Sequence, residues 1–224
     1  ISKILVDSRE TYGKIIEFVR DFVPNAEEKI EHYPGERPLF ELYNVEDDLQ
    51  KALSRKVTLK SGGYLIIDQT EAMTTVDVNT GSFVGSRTLE DTVFKTNLEA
   101  THAIARQLRL RNLGGIIIID FIDMQEQAHK DEVLKSLEKM LIRDHAKTKI
   151  TQVSELGLVE MTRKRTRESL EHLLCESCPI CSGRGSVKTA ETVCFEIFRE
   201  ILREARAYDA AHGYSVVANQ RVID

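Results

Sequence analysis

Two short segments carry acidic and amide side chains at spacings that suit metal chemistry. In TTVDVNTG, residues 74–81, valines alternate with Asp77 and Asn79. Side chains two residues apart on a β-strand share a face and lie about 6.5 Å apart, so Asp77 and Asn79 point the same way. Asp120 ends a second predicted strand, IIIID. If a helix joins these strands as a crossover unit, the strands are parallel and both acids lie at one edge of the sheet.

Two close carboxylates and an amide, with no histidine, form an oxygen ligand set that favours magnesium or manganese over zinc. Like charges held together raise each other's pKa unless a cation lies between them. Such an ion suits hydrolysis of a phosphodiester, because it contacts a phosphate oxygen and orients the attacking water. A strand-end aspartate can instead cap a turn, and Asp68, Asp123 and Asp131 are open to that role as well. Spacing alone leaves both interpretations open.

A second set of possible ligands lies in CESCPICSGRG, where Cys175, Cys178 and Cys181 are three residues apart. This spacing favours zinc, but a structural zinc takes four ligands and the segment offers three. His172 or Cys194 could close a site within one chain, and plain structural or redox cysteines are the alternative. Clustered cysteines of this kind do not resemble a secreted disulfide framework, so they favour a cytoplasmic protein.

The elements that position these residues are predicted to form a mixed α/β fold. Before residue 61, the apolar periodicity predicts two strands and two helices: Ile1–Asp7, Arg9–Val23, Lys29–Tyr33 and a helix from an Asn44 cap to Ser54. No site chemistry is visible in this part. We interpret it as a supporting subdomain.

From Ser61 onward the pattern predicts the unit that holds the acids. A hairpin across QTEAM precedes a long helix, Leu89–Arg111, which Thr88 can cap. The β-branched run IIIID predicts a strand buried on both faces. A further helix, about Gln127–Ala146, and the alternating segment KITQVSELGLVEMTRKR complete the unit.

Charge and hydropathy limit the classes of partner. The net charge of −5 means that a polyanion must be met by a local basic patch. No apolar run approaches the ~18 to 20 residues of a membrane span, so no membrane partner is predicted. Two basic clusters could follow a phosphate backbone or could simply be solvated surface: Arg106, Arg109 and Arg111, and then Arg163, Lys164, Arg165 and Arg167.

Four motif strings occur in a fixed order: GGYLIIDQTEAMTTVDVNTG, NLEATHAIARQLRLRNLGGIIIIDFIDM, SELGLVEMTRKR and CPICSGRG. Together they resemble the catalytic region of the ribonuclease E/G family, most densely from Ser61 to about Gly185. The resemblance implies a magnesium-dependent endoribonuclease that hydrolyses phosphodiesters in single-stranded RNA. In this family, attack by water leaves a 5′-phosphate on the downstream product.

The resemblance also assigns sites. The magnesium ligands fall on Asp77 and Asp120, and the asparagine that orients the first ligand falls on Asn79. Asp123, their near neighbour in the sequence, is only a candidate for an outer-shell role. Lys147 stands where the family has an arginine near bound RNA. The basic residues taken as RNA contacts are Lys147, Arg106, Arg109, Arg163 and Arg165.

For zinc, the family pattern uses two cysteines from each of two chains, here Cys178 and Cys181. This pattern implies a homodimer or higher homo-oligomer joined through zinc, with Cys175 outside the pattern. The implied domains are part of a ribonuclease H-like subdomain over 1–60, a deoxyribonuclease I-like catalytic subdomain over 61–173, a zinc-link over 174–186 and the start of a small α/β dimerisation domain over 187–224.

The expected partners are single-stranded RNA and ribosomal RNA precursors, and the expected processes are rRNA maturation, mRNA decay and tRNA processing. A competing interpretation is a non-catalytic, zinc-linked scaffold that binds RNA and dimerises. It is favoured by the absence from these residues of the family's oligonucleotide-binding-fold domain and of its pocket for a 5′-monophosphate.

Overall fold

The computed structural model describes residues 2–81, 89–154, 156–207 and 213–223. The chain separates into two units, the first ending at Leu174 and the second beginning at Cys175. None of the helices in the described ranges has the length and apolar content that crossing a membrane requires.

The first part of unit one is a small α/β arrangement. Its elements are β1 (Ile4–Val6), α1 (Arg9–Phe22), a 3-10 helix (Pro24–Lys29), β2 (Ile30–His32), α2 (Leu39–Leu42) and α3 (Val45–Leu53). β1 and β2 form a parallel two-stranded sheet. The predicted strands and helices are confirmed here. The predicted side-chain cap at Asn44 is wrong, because Asn44 adopts a left-handed conformation (φ 52°) and makes no capping hydrogen bond.

A six-stranded mixed sheet forms the rest of unit one. Its elements in chain order are β3 (Lys56–Thr58), β4 (Tyr64–Gln69), β5 (Met73–Asn79), α4 (Leu89–Leu110), β6 (Gly115–Asp120), α5 (Gln127–Leu141), β7 (Thr148–Val153), β8 (Val159–Arg163) and α6 (Leu170–Leu174). The strand order is β3-β4-β5-β6-β8-β7. β5 and β6 are parallel and the other neighbouring pairs are antiparallel, so the predicted hairpin and crossover are both confirmed.

The hydrophobic core lies on one face of this sheet, under α4 and α5. Alternate strand residues such as Leu65, Val76 and Ile117 are buried there with Ile104 and Leu137 of the helices. The prediction that IIIID is buried on both faces is wrong. Ile116 is 48% exposed and Ile118 is half-buried, because the helices α4 and α5 of unit one pack on the opposite face of the sheet. We call this second face the open face.

Two helix boundaries bear on the site. The predicted cap of α4, Thr88, lies outside the described residues. α5 ends at Leu141 rather than near Ala146, and Ile142 just beyond it is 80% exposed. In the turn that follows, the Asp144 carboxylate accepts the backbone N–H of Ala146. Unit two contains α7 (Ala190–Ala207) and α8 (Gln220–Ile223).

Candidate active site

The parallel pairing of β5 and β6 places Asp77 and Asp120 side by side. The two residues are register partners, so their Cα atoms lie about 4.8 Å apart across the sheet. Their neighbours Val76 and Ile119, 1% and 0% exposed, turn into the core. The alternation of a strand therefore puts both carboxylates on the open face, where both side chains are exposed.

Asn79 fixes the orientation of the first carboxylate. Its Nδ2 donates a hydrogen bond of 2.8 Å to Oδ2 of Asp77. The two residues share the open face because they are two apart on β5. The hydrogen bond restricts the rotation of the Asp77 side chain while Asp120 stands beside it on the next strand.

The electrostatics of the pair favour a bound cation. Partial burial raises the pKa of the Asp120 carboxyl above its ordinary range, and the negative charges of Asp77 and Asp123 raise it further. A divalent ion offsets this repulsion, and carboxylate oxygens are ligands that magnesium prefers. Within the described ranges, no group of three or more His, Cys, Asp or Glu side chains is arranged to hold a metal. A two-carboxylate site fits magnesium, which usually keeps several waters.

Buried polar contacts hold the loop that follows Asp120. Asn97 on α4 is 0% exposed. Its Nδ2 donates to the backbone carbonyl of Ile122 at 2.8 Å, and its Oδ1 accepts the Ile122 N–H at 3.1 Å. The side-chain carboxylate of Glu90, about two turns before Asn97 on α4, accepts hydrogen bonds from the backbone N–H groups of Gln125 and Glu126.

The Glu90 carboxylate also faces His129 of α5. Its Oε1 lies 3.1 Å from the His129 Nδ1, and the His129 ring stacks on Phe94 with the ring centres 4.1 Å apart. The hydrogen bond with His129, with help from the backbone N–H groups, outweighs burial and lowers the pKa of Glu90. Sequence reasoning missed this support. An asparagine on the apolar face of a predicted helix was the available signal, since a buried amide needs partners.

Glycines allow close backbone packing behind Asn79. A Cβ on Gly63 would lie 2.7 Å from the Asn79 carbonyl oxygen, and one on Gly81 would clash with the carbonyl of Gly62. Gly81 also has φ +62°, which side chains disfavour. The end of β5 thus packs directly against the start of β4.

Lys147 and Lys164 lie together at the other end of the sheet. The Lys164 N–H donates to the Lys147 carbonyl at 2.9 Å, which extends the β7–β8 pairing by one step. Both lysines are exposed. Arg165 is also exposed, and its Nε donates to the Gly114 carbonyl at 3.2 Å.

Arg163 is buried, unlike the other predicted RNA contacts. Its side chain is 5% exposed, and its guanidinium donates to both oxygens of Asp144, whose side chain is 3% exposed, and to the Leu113 carbonyl. Although burial by itself raises the pKa of Asp144, the hydrogen bonds from Arg163 and the Ala146 N–H lower it overall. These contacts occupy the Arg163 side chain inside the fold, so its guanidinium is not presented to a ligand at the surface.

The arginines of α4 also separate into two kinds. Arg111 is 7% exposed and donates to the Gln107 side chain and to the Ser54 carbonyl. Arg106 and Arg109 are exposed. Arg106 lines a cleft of about 380 Å³ together with Lys60.

In unit two, Cys178 and Cys181 lie close together. The backbone N–H groups of Cys181 and Ile180, with the Cys181 thiol, lower the pKa of the Cys178 thiol. This favours the thiolate, the form that binds metals. Turn hydrogen bonds follow, from Ser182 N–H to the Cys178 carbonyl at 2.8 Å and from Arg184 N–H to the Cys181 carbonyl at 3.0 Å. Cys175 is exposed and Cys194 half-buried, and neither forms a disulfide.

Comparison with known proteins places these features in a family. The Ribonuclease E/G family model matches residues 1–166, a stretch that includes both acids, Asn79 and the basic end of the sheet. The chain belongs to the ribonuclease E/G family.

Individual relatives agree. Ribonuclease G of Salmonella typhimurium is 65% identical over 210 residues, which cover 94% of this chain and 43% of that protein. Ribonuclease G of Haemophilus influenzae is 60% identical over 91% of this chain and 41% of its own length. Ribonuclease E of Escherichia coli is 40% identical over 97% of this chain and 20% of its own length. The chain thus spans less than half the length of these curated relatives.

Proposed function

We propose that this chain is the catalytic core of a magnesium-dependent endoribonuclease that hydrolyses phosphodiesters in single-stranded RNA. The observation that carries the proposal is the pair of adjacent carboxylates, Asp77 and Asp120, on the open face of the sheet, in a chain so similar to ribonucleases G. Asp77 and Asp120 would hold the magnesium ion, and Asn79 would orient Asp77. Asp123 contributes charge from outside the ligand pair.

The residues of the chain have separable tasks in this mechanism. Asp77 and Asp120 supply the negative charge that concentrates a divalent cation at one point of the open face. Bound magnesium supplies neutralisation of phosphate charge and polarisation of water. Asn79 keeps the Asp77 carboxylate in one orientation through its 2.8 Å hydrogen bond. Both acids are exposed, so a single RNA strand can reach them. In the proposed reaction, attack by water on the phosphodiester would leave a 5′-phosphate on the downstream product.

The finer domain assignment is part of the same proposal. The mixed sheet with its two helices over 61–173 would be a deoxyribonuclease I-like subdomain, and 1–60 would be part of a ribonuclease H-like subdomain. The separate unit that begins at Cys175 supports a zinc-link over 174–186 followed by a small domain over 187–224.

Zinc would join two chains through Cys178 and Cys181, whose closeness suits half of a tetrahedral site, and the lowered pKa of the Cys178 thiol favours the thiolate that binds metals. A homodimer or higher oligomer in the cytoplasm follows from this proposal. Its substrates would be ribosomal RNA precursors and other single-stranded RNA, in rRNA maturation, tRNA processing and mRNA decay. Lys147, Arg106, Arg109 and Arg165 are the proposed RNA contacts.

The decisive experiment compares the wild-type full-length protein with Asp77→Asn and Asp120→Asn. We expect magnesium-dependent cleavage of single-stranded RNA by the wild type, and a loss of at least a hundredfold in each variant with RNA binding retained. Asn79→Ala should lose less, roughly tenfold, because it removes one positioning hydrogen bond worth about 1.5 kcal/mol and leaves both carboxylates in place. Full cleavage by either aspartate variant would disprove the proposed ligand pair. RNA binding without any magnesium-dependent cleavage by the wild type would support the scaffold interpretation.

A further inference from the structure

The open face of the sheet has opposite charges at its two ends. At one end stand Asp77 and Asp120. At the other end, the register places Ile116 of β6 opposite Thr162 of β8, and Thr162 opposite Lys149 of β7. Ile116 lies four residues before Asp120 on the same strand, so its side chain is on the open face as well. Thr162 and Lys149 are on this face too, because side chains of residues paired across neighbouring strands point to the same side of a sheet.

Three lysines gather at this second end. Lys147 lies two residues before Lys149 on the same edge, and its carbonyl accepts the N–H of Lys164. All three side chains line one open groove of about 430 Å³ with Ile116 and Thr162, and the groove lining includes no carboxylate. In the part of the chain that the structure describes, none of the three ammonium groups forms an ion pair. This local positive charge stands out in a protein whose net charge is −5.

Two isoleucines of β6 lie between the acidic and basic ends. Ile116 is 48% exposed and Ile118 is half-buried, and the exposed Glu160 of β8 is the register partner of Ile118 on the same face. From Ile116 to Asp120 the strand rises about 13 Å, a length that a few nucleotides can span. A single nucleic acid strand has the matching chemistry: phosphates for the lysines and for the metal end, and base faces or sugars for the isoleucines.

We propose that Lys149 and Lys164, beside Lys147, hold RNA phosphates a few nucleotides away from the bond that is cleaved, with the strand lying along β6 over Ile118 and Ile116. This assignment rests on the proposed function. It adds Lys149, which the sequence analysis did not single out, and it gives the RNA a path across the open face. Lysine acts here as a point charge, so it anchors the backbone without reading the sequence.

The first experiment measures binding without cleavage. Single-stranded RNA is titrated against full-length Asp77→Asn protein, alone and with Lys149→Gln plus Lys164→Gln added, over a range of salt concentrations. We expect binding several-fold weaker at low salt. The slope of log K against log salt should become shallower by about 0.7 for each lost phosphate contact. The matched control replaces two exposed lysines of α5, Lys135→Gln and Lys139→Gln, and should leave both quantities unchanged.

A second experiment tests the path. RNAs with one cleavage position are shortened one nucleotide at a time from either end. The rate at which the wild-type protein cleaves them is compared with that of Lys149→Gln plus Lys164→Gln, in which Asp77 is intact. The wild type should cleave the longer RNAs faster than the two-lysine variant. This difference in rate should vanish when a few nucleotides are removed from the end that reaches the lysines. It should persist when the opposite end is trimmed.

The two experiments separate this proposal from the proposed function. Two results would overturn the lysine assignment. One is an equal slope of log K against log salt for the Asp77→Asn proteins with and without the two lysine substitutions. The other is a difference in cleavage rate that survives trimming of both RNA ends. Absence of cleavage by the wild type would disprove the nuclease proposal, while the binding result would still decide whether these lysines contact RNA.

Discussion

At the scale of single residues, the two aspartates of the site work against the stability of the metal-free fold. Burial and the charges of Asp77 and Asp123 raise the pKa of Asp120, so the folded state favours its protonated form. Any stabilisation from that form is present at low pH and is lost as the pH rises through the folded pKa. At neutral pH, the ionised pair repels.

We therefore predict that Asp120→Asn, with magnesium removed by a chelator, melts at a higher temperature than wild type at neutral pH. The difference should shrink as the pH falls and Asp120 of the wild type takes up its proton. Added magnesium should raise the melting temperature of the wild type and hardly affect the variant. A variant that melts lower than wild type in the chelator at neutral pH would contradict a destabilising repulsion between Asp77 and Asp120.

Asp144 behaves in the opposite way because its carboxylate is paired. The pKa of Asp144 is lowered in the folded protein, so its ionised carboxylate stabilises the fold at pH values above the ordinary pKa of aspartate. This stabilisation is lost as the pH falls through the folded pKa. Asp144→Asn leaves Arg163 buried without its partner charge, and should lower the free energy of unfolding by about 3 to 5 kcal/mol at neutral pH.

Denaturant unfolding at several pH values checks this prediction, and the gap between Asp144→Asn and wild type should narrow in acid. Glu10→Gln is the matched control, since it breaks the exposed Lys14–Glu10 ion pair, whose atoms lie 2.6 Å apart. Exposed pairs contribute about 0 to 1 kcal/mol. Equal losses in the two variants would show that burial of the Arg163–Asp144 pair has no special weight.

At the scale of elements, the sequence predicted the crossover well. Alternation in TTVDVNTG and the apolar run before Asp120 each predict a strand, and a helix between them forces a parallel pair. Two features escaped prediction for a physical reason. Whether the second face of IIIID is covered depends on where other elements pack, and the approach of Lys149 to Ile116 depends on the order of β6, β8 and β7. Neither is encoded in local periodicity.

The Asn97 contact gives a test at this scale. Asn97→Ala leaves the backbone N–H and C=O of Ile122 without their side-chain partner, which should cost about 1 to 3 kcal/mol. Because the freed loop begins directly after Asp120, we also expect cleavage to need several-fold more magnesium.

Thr101→Ala is the control for Asn97→Ala. Thr101 is equally buried on α4 and lies 2.7 Å from the Ser136 hydroxyl of α5, away from the loop. It should lower stability without changing the magnesium requirement. If both variants shift the magnesium requirement alike, Asn97 acts only through general stability.

At the scale of the whole molecule, the proposed zinc link would set the oligomeric state. Cys178 and Cys181 provide two thiolates, and a structural zinc site takes four, so a two-fold dimer can complete it with the same segment from each chain. The intrachain alternative would need Cys175 with His172 or Cys194.

We predict one zinc for every two chains. Cys178→Ser or Cys181→Ser should release zinc and shift the protein toward monomer, whereas Cys175→Ser should do neither. Metal analysis combined with light scattering measures both quantities. One zinc per chain, or loss of the dimer in Cys175→Ser, would instead indicate a site within a single chain.

The parallel pairing of β5 with β6 also sets a time order during synthesis of the chain. The β4–β5 hairpin, which carries Asp77 and Asn79, closes through local contacts and can form early. Asp120 joins it only after the whole of α4 has been made and β6 has docked, a non-local step whose loop-closure entropy must be overcome first. A nascent chain on the ribosome therefore presents a lone aspartate, and the acidic pair arises only once the enclosed helix is complete. In the proposed nuclease, we therefore expect a chain that ends before β6 to lack the acidic pair and to be unable to cleave RNA.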